Sequence, residues 1–227
     1  MSKLVFDIET IGEDFETLDE LTKESLTRWI KKESASDIEY EKALEDLKNG
    51  LGLSPLTGQI VAIGVYDVEK EKGAVYFQAP DGSVENSEDG NIKFRVLSEK
   101  EMLQQFWNLA EKYDEFISFN GRGFDVPFMF IRSAVHEIRP TKNLMANRYL
   151  SSQPKNSQHI DLLDQFTFYG AVRRRGSLHL WSRAFGIKSP KAEGINGDDV
   201  GQLFKENKFF DIAKYNVGDL IATKKTF

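Results

Sequence analysis

The chain opens on an apolar run, Leu4-Val5-Phe6, that gives way to the alternating segment Asp7-Ile8-Glu9-Thr10. Such a pattern predicts a buried strand that reaches the edge of its sheet. Side chains two apart in a strand share a face, so Asp7 and Glu9 project one way and Ile8 the other. Further runs rich in Ile, Val and aromatics predict strands over 59–66, 74–78 and 115–119. Between the first two strands, Leu18, Leu21, Leu26, Trp29, Ile30, Leu44 and Leu47 recur at helical spacing. The stretch 14–50 is therefore expected to be helical, stopping at Asn49-Gly50. Residues 81–91 are polar, contain glycine, and read as a solvent loop. Ser98 with Glu101 forms a capping-box pattern that opens a helix to about Lys112. Another helix is expected from near Val126 to His136, and the chain beyond Asp161 reads as mainly helical. The last helix, 211–227, places Tyr215 and Asp219 one turn apart on one face.

These periods bring polar groups into pairs. Asp7 and Glu9 pair on a strand, Tyr215 and Asp219 pair on a helix, and Asn120-Gly121-Arg122-Gly123-Phe124-Asp125 lies between them. Four acids and one phenol on three separate segments suit oxygen ligation of hard divalent cations, and hence metal-assisted phosphoryl chemistry. Taken singly, each motif has an ordinary reading. A D-x-E pair is common at a solvated strand end, and Asp125 with Pro127 is a common helix start. The combination, in this order, carries the inference. Asp161 and Asp164 read as helix caps and stay outside the catalytic set. His136, His159 and His179 show no metal-ligand spacing and are expected to be structural.

With those motifs in place, the chain resembles the exonuclease domain of family B DNA polymerases, and more closely the stand-alone exonucleases related to it. These belong to the DEDD superfamily, tyrosine-containing branch. Phe6-Asp7-Ile8-Glu9-Thr10 matches the first motif, Asn120 through Asp125 the second, and Tyr215 to Asp219 the third. In the histidine branch a His precedes the last acid by five residues; here that position is Lys214, followed by Tyr215. The resemblance implies a ribonuclease H-like α/β fold, a mixed sheet of about five strands flanked by helices. One domain over 1–227 is expected, with 13–56 as a helical, acidic insertion. It also implies 3′–5′ exonuclease activity on nucleic acid with a free 3′ end, single-stranded DNA by preference. Two divalent cations, Mg²⁺ or Mn²⁺, are implied: one held by Asp7, Glu9 and Asp219, the second bridged by Asp7 and supported by Asp125. Tyr215 would orient the attacking water, Thr10 and Asn120 would meet the substrate, and Phe124 would either pack against a terminal base or serve the structure. An RNA exonuclease of ribonuclease D type shares the same residues, and a non-catalytic nucleic-acid-binding module is a third reading. Clustered acids that repel phosphate argue against that third reading.

Charge refines the picture. The formal net charge is −6, but residues 13–49 alone hold twelve acids and six bases, so the rest of the chain is balanced. Residues 139–191 hold ten bases against Asp161 and Asp164. This stretch includes Arg173-Arg174-Arg175, Arg183, Lys188 and Lys191, interleaved with Phe168, Tyr169 and Trp181. Basic residues bind phosphate and aromatics stack on bases, which makes the arginine triplet a candidate backbone contact. Trp181 has the spacing of a core residue. No cysteine, no signal-like start and no long apolar run occur, so a cytoplasmic protein without membrane contact is expected.

Overall fold

The computed structural model describes residues 2–187 and 196–227. Lys188 and Lys191 of the basic stretch lie outside the described residues. The first strand, β1 (Lys3–Gly12), is followed by helices α1 (Glu20–Glu33) and α2 (Asp37–Gly50), then strands β2 (Gly58–Asp67) and β3 (Lys72–Phe77). Strands β4 (Ser87–Asp89) and β5 (Ile92–Val96), helix α3 (Glu99–Ala110), strand β6 (Glu115–Ser118) and helix α4 (Asp125–Val135) come next. Strand β7 (Gln158–Asp161) and helices α5 (Leu162–Phe166), α6 (Leu178–Ala184), α7 (Val200–Lys205) and α8 (Phe209–Thr226) complete the described elements.

The strands form one mixed sheet in the order β4-β5-β3-β2-β1-β6-β7. Within it β1 runs antiparallel to β2 and parallel to β6. Alternation along β1 separates two cores. Leu4, Phe6 and Ile8 pack with Phe106 and Trp107 of α3 and Val126 and Met129 of α4. Val5 faces the other way, with Ile212, Ala213 and Leu220 of α8. Asp7 and Glu9 share the face of Val5, so the α8 layer supplies their surroundings.

The α/β expectation stands, with two differences. The sheet has seven strands, not five. Part of the expected loop 81–91 is strand, because β4 and β5 form a hairpin across the Gly90-Asn91 pair; Gly90 takes the positive φ that such a tight connection requires. Strand β7 was hidden by its polar sequence, Gln158-His159-Ile160-Asp161, and exists by pairing with β6. The helices expected over 14–50 are present as α1 and α2, capped by Asp19 and Ser36. Their leucine spacing overstated their core: Leu21 and Ile38 are exposed, and α2 buries no residue. Among the described residues, no helix is long and apolar enough to cross a membrane.

Candidate active site

Strand β1 delivers two acids and α8 a third. One ligand oxygen from each of Asp7, Glu9 and Asp219 lies within 4.8 Å of the others. A register shift between Glu9 and Thr10 marks a bulge at the end of the D-x-E pair; bulges of this kind re-aim side chains beside active sites. Asp125 is the first residue of α4. It reaches across to β1, where its Oδ1 accepts from the backbone N–H of Ile8 at 3.1 Å. That bond ties the second motif to the middle of the first.

Crowded, buried carboxylates resist ionisation. Burial pushes the Asp7 carboxyl well above its ordinary value, and Asp125, Glu9 and Asp219 add to the shift. Glu9 is raised in the same way by burial and by Asp219. Asp125 is pushed up to about 7, chiefly by burial, against two backbone bonds that lower it. Tyr215 is raised strongly by burial and by the nearby Asp219, so its phenol is a hydrogen-bonding group at neutral pH. A set of hard oxygen donors holding more negative charge than the site can bear unaided fits divalent cations.

Asn216 was absent from the residues singled out in the sequence, although it stands between Tyr215 and Asp219. It is fully buried. Its Nδ2 donates to Asp7 Oδ2 at 2.8 Å and more weakly to Glu9 Oε1 at 3.4 Å. Its Oδ1 is buried without a hydrogen-bond partner. The side chain lies against Gly64 of β2, where a β-carbon would collide with that oxygen. One signal for it existed: an amide within the otherwise apolar buried stripe Ile212, Ala213, Leu220 is out of place in a core unless it has a polar task.

The turn between β6 and α4 is fixed from β7. Asn120 adopts a left-handed backbone, φ 62°, a conformation asparagine tolerates better than most residues. The Asp161 carboxylate accepts from the backbone N–H groups of Asn120 at 3.0 Å and Arg122 at 2.9 Å. It also accepts from Leu163 N at 3.0 Å, capping α5. Asp161 is thus a cap, as its sequence suggests, and a clamp on the second motif besides. Behind the turn, Ser118 Oγ donates to His159 Nε2 at 2.7 Å, and His159 Nδ1 donates to Leu144 O at 3.2 Å. A β-carbon at Gly121 would overlap Ser118 Oγ.

The remaining expected residues divide. Thr10 donates its hydroxyl to Gly52 O at 2.7 Å, which ties β1 to the segment after α2. Phe124 packs on Phe128 and the core beneath it, with ring centroids 5.5 Å apart. Asn120 and Arg175 line a cleft beside the second motif. Arg173 and Arg174 are exposed and are not among the residues lining it. Trp181 packs between Phe166 and Phe185, but it is only half-buried and lies outside both cores, so its core-like spacing overstates its burial.

Residues 57–227 match the family described as "Predicted 3'-5' exonuclease related to the exonuclease domain of PolB". Asp125, Tyr215 and Asp219 fall inside the matched span. Asp7 and Glu9 precede it and are joined to it by the geometry above. Among solved structures, the family B DNA polymerase from the hyperthermophilic archaeon Pyrobaculum calidifontis is similar, with a TM-score of 0.54 and 16% identity. The likeness covers 98% of this chain and 23% of that chain, and it bears on the fold. It agrees with a ribonuclease H-like arrangement. No curated protein matches the chain.

Proposed function

Because the chain belongs to the family of 3′–5′ exonucleases related to the exonuclease domain of PolB, we propose that it removes nucleoside monophosphates from the 3′ end of single-stranded DNA with two divalent cations. One observation carries the reading: β1 and α8, from opposite ends of the chain, bring the Asp7, Glu9 and Asp219 oxygens within 4.8 Å of one another. Asp7, Glu9 and Asp219 would hold one ion, and Asp7 with Asp125 the other. Bound Mg²⁺ or Mn²⁺ would supply activation of water and stabilisation of the departing 3′-oxygen.

The protein's own groups do the rest. Asn216 fixes the carboxylate planes of Asp7 and Glu9 through its amide. Ile8 N–H holds Asp125 toward β1. Tyr215, kept protonated, orients the attacking water by hydrogen bonding rather than by taking its proton. The bond that forms joins the water oxygen to phosphorus; the bond that breaks is P–O3′, and a proton ends on the leaving 3′-hydroxyl. Arg175 in the cleft beside the second motif offers a cation to the strand's phosphates.

End-labelled single strands of DNA and matched RNA, incubated with Mg²⁺ or Mn²⁺ and with chelator, test the reading. Shortening from the 3′ end only with metal, and faster on DNA, is expected. Asp219→Ala abolishes it. Tyr215→Phe, which keeps the ring and loses one hydroxyl, slows turnover on the order of 10²-fold with little change in strand binding. Cleavage that survives chelation or Asp219→Ala sinks the assignment; faster shortening of RNA transfers it to ribonucleotide substrates.

A further inference from the structure

The cleft beside the second motif has a volume of about 280 Å³. Its walls come from the Asn120–Gly123 turn, from Met145 and Arg148 in the segment before β7, from Asp161 and Asp164 around α5, and from Arg175. It adjoins Asp125, because Gly123 in its wall is two residues from that acid and Asp161 both clamps the 120–122 turn and acts electrostatically on Asp125. Three arginines face two acids here, and both acids are engaged. Asp161 accepts backbone N–H bonds. Asp164 is held by Arg148, whose Nε donates to it at 3.0 Å. The arginine lining is therefore in excess, and it suits an anion.

An aromatic shelf stands on the same side chain that lines the cleft. Arg148 lies over the Tyr169 ring at 5.9 Å. Tyr169 and Tyr149 meet with centroids 4.8 Å apart, and Tyr149 is 54% exposed. Phe168 beside them is 72% exposed. Phe168 and Tyr169 both hold left-handed backbones, φ 50° and 56°. Two bulky residues in succession in that region are strained and need a surrounding structure that imposes it. Here the constraint is visible: Tyr169 N donates to Asp164 O at 2.7 Å, and Gln165 Nε2 donates to Tyr169 Oη at 2.9 Å. The same short helix, α5, thereby holds Arg148 and places the ring. Large exposed rings beside arginines are the chemistry of single-strand binding, where bases stack and phosphates pair.

We propose that this cleft and shelf form the subsite for the nucleotides preceding the 3′-terminal one, with Arg122 and Arg175 on the phosphates and the Tyr149–Tyr169 pair beneath a base. The proposal rests on the exonuclease reading and deepens it. It gives the enzyme a path that requires unpaired bases, since a duplex cannot offer a base face to Tyr149. It also assigns functions to Arg122, Tyr149 and Tyr169 that the motifs themselves do not carry.

Two measurements separate this subsite from the exonuclease reading. The first is fluorescence anisotropy of a labelled thymidine strand of about ten nucleotides, a length within the range one binding face covers, in chelator so that nothing is cleaved. The second is steady-state hydrolysis of that strand and of the p-nitrophenyl ester of thymidine 5′-monophosphate, which lacks any preceding nucleotide. Tyr149→Ala is expected to weaken strand binding about ten-fold and to lower the preference for strand over ester by a similar factor, through KM rather than kcat. Tyr149→Phe, which keeps the ring, restores both. Arg175→Ala flattens the salt dependence of binding by about one counterion. Binding, salt slope and preference all unchanged in Tyr149→Ala and Arg175→Ala would overturn the subsite. A wild-type protein that hydrolyses neither substrate defeats the exonuclease reading instead, and the anisotropy still decides where the strand lies.

Discussion

At the scale of single residues, Asn216 has the sharpest consequence. Its amide is the one described side-chain donor bridging Asp7 and Glu9. Groups that orient metal ligands typically cost 10–100-fold in metal affinity or activity when removed. Asn216→Ala is therefore expected to raise the metal concentration needed for half-maximal cleavage by roughly ten-fold or more. Gly64→Ala should act in the same direction without touching any acid, because its new methyl takes the place of the Asn216 oxygen. The double variant should be little worse than either single one, since both remove the same bridge. Metal titrations of cleavage rate check this; additive losses would show that Gly64 acts elsewhere. Asn216 also marks a limit of sequence reading. Asp7 and Glu9 were legible because strand period alone puts them on one face, and Tyr215 with Asp219 because helix period does the same. Asn216 matters through a contact between α8 and β1 that no local period contains.

At the scale of elements, the pair β6 and β7 shows how a buried, neutral side chain supports the site. His159 is 1% exposed. Burial, aided by the charge of Arg122, pushes its imidazole down from 6.5 to about 3. Its bonds suit the neutral form, donating from Nδ1 and accepting at Nε2. The sequence reading of this histidine as structural agrees with that environment, yet the strand carrying it went unseen, since a ladder supplied by β6 leaves little trace in four mixed residues. The capping box of α3 was visible for the opposite reason: Ser98 and Glu101 are close in sequence and satisfy each other directly. The depressed value fixes a sign. Below 6.5 the unfolded chain takes up a proton that the folded protein refuses, so stability present above 6.5 is lost as pH falls toward 3. The loss from this one group is about 2 kcal/mol at pH 5. Denaturant unfolding at several pH values should show His159→Gln less stable at pH 7 but with a shallower decline between pH 6.5 and 4. Parallel declines in the two proteins would mean that other groups set the acid sensitivity.

For the molecule as a whole, the acid cluster makes metal binding a property of the folded state. Asp7 stands in the middle of β1, the first strand, and Asp219 in the middle of α8, the last helix, and their oxygens meet only when α8 has packed across β1 and β2. An unfolded chain cannot present that set, so a cation that binds the site stabilises the fold by mass action. At a concentration a hundred times the dissociation constant, the gain is about 2.7 kcal/mol. In a protein of this size each kcal/mol moves the melting temperature by about 2–4 °C, so saturating Mn²⁺ or Mg²⁺ should raise it by roughly 5–10 °C. Asp219→Ala should be as stable as the wild type, or more so, without metal, because it relieves repulsion among buried acids, and it should gain little on adding metal. Melting curves with and without metal distinguish this from an acid set that serves structure alone, for which Asp219→Ala would lower the melting temperature in both conditions and the metal would shift neither protein. The measurement needs no substrate, so it tests the metal site independently of which strand the cleft accepts.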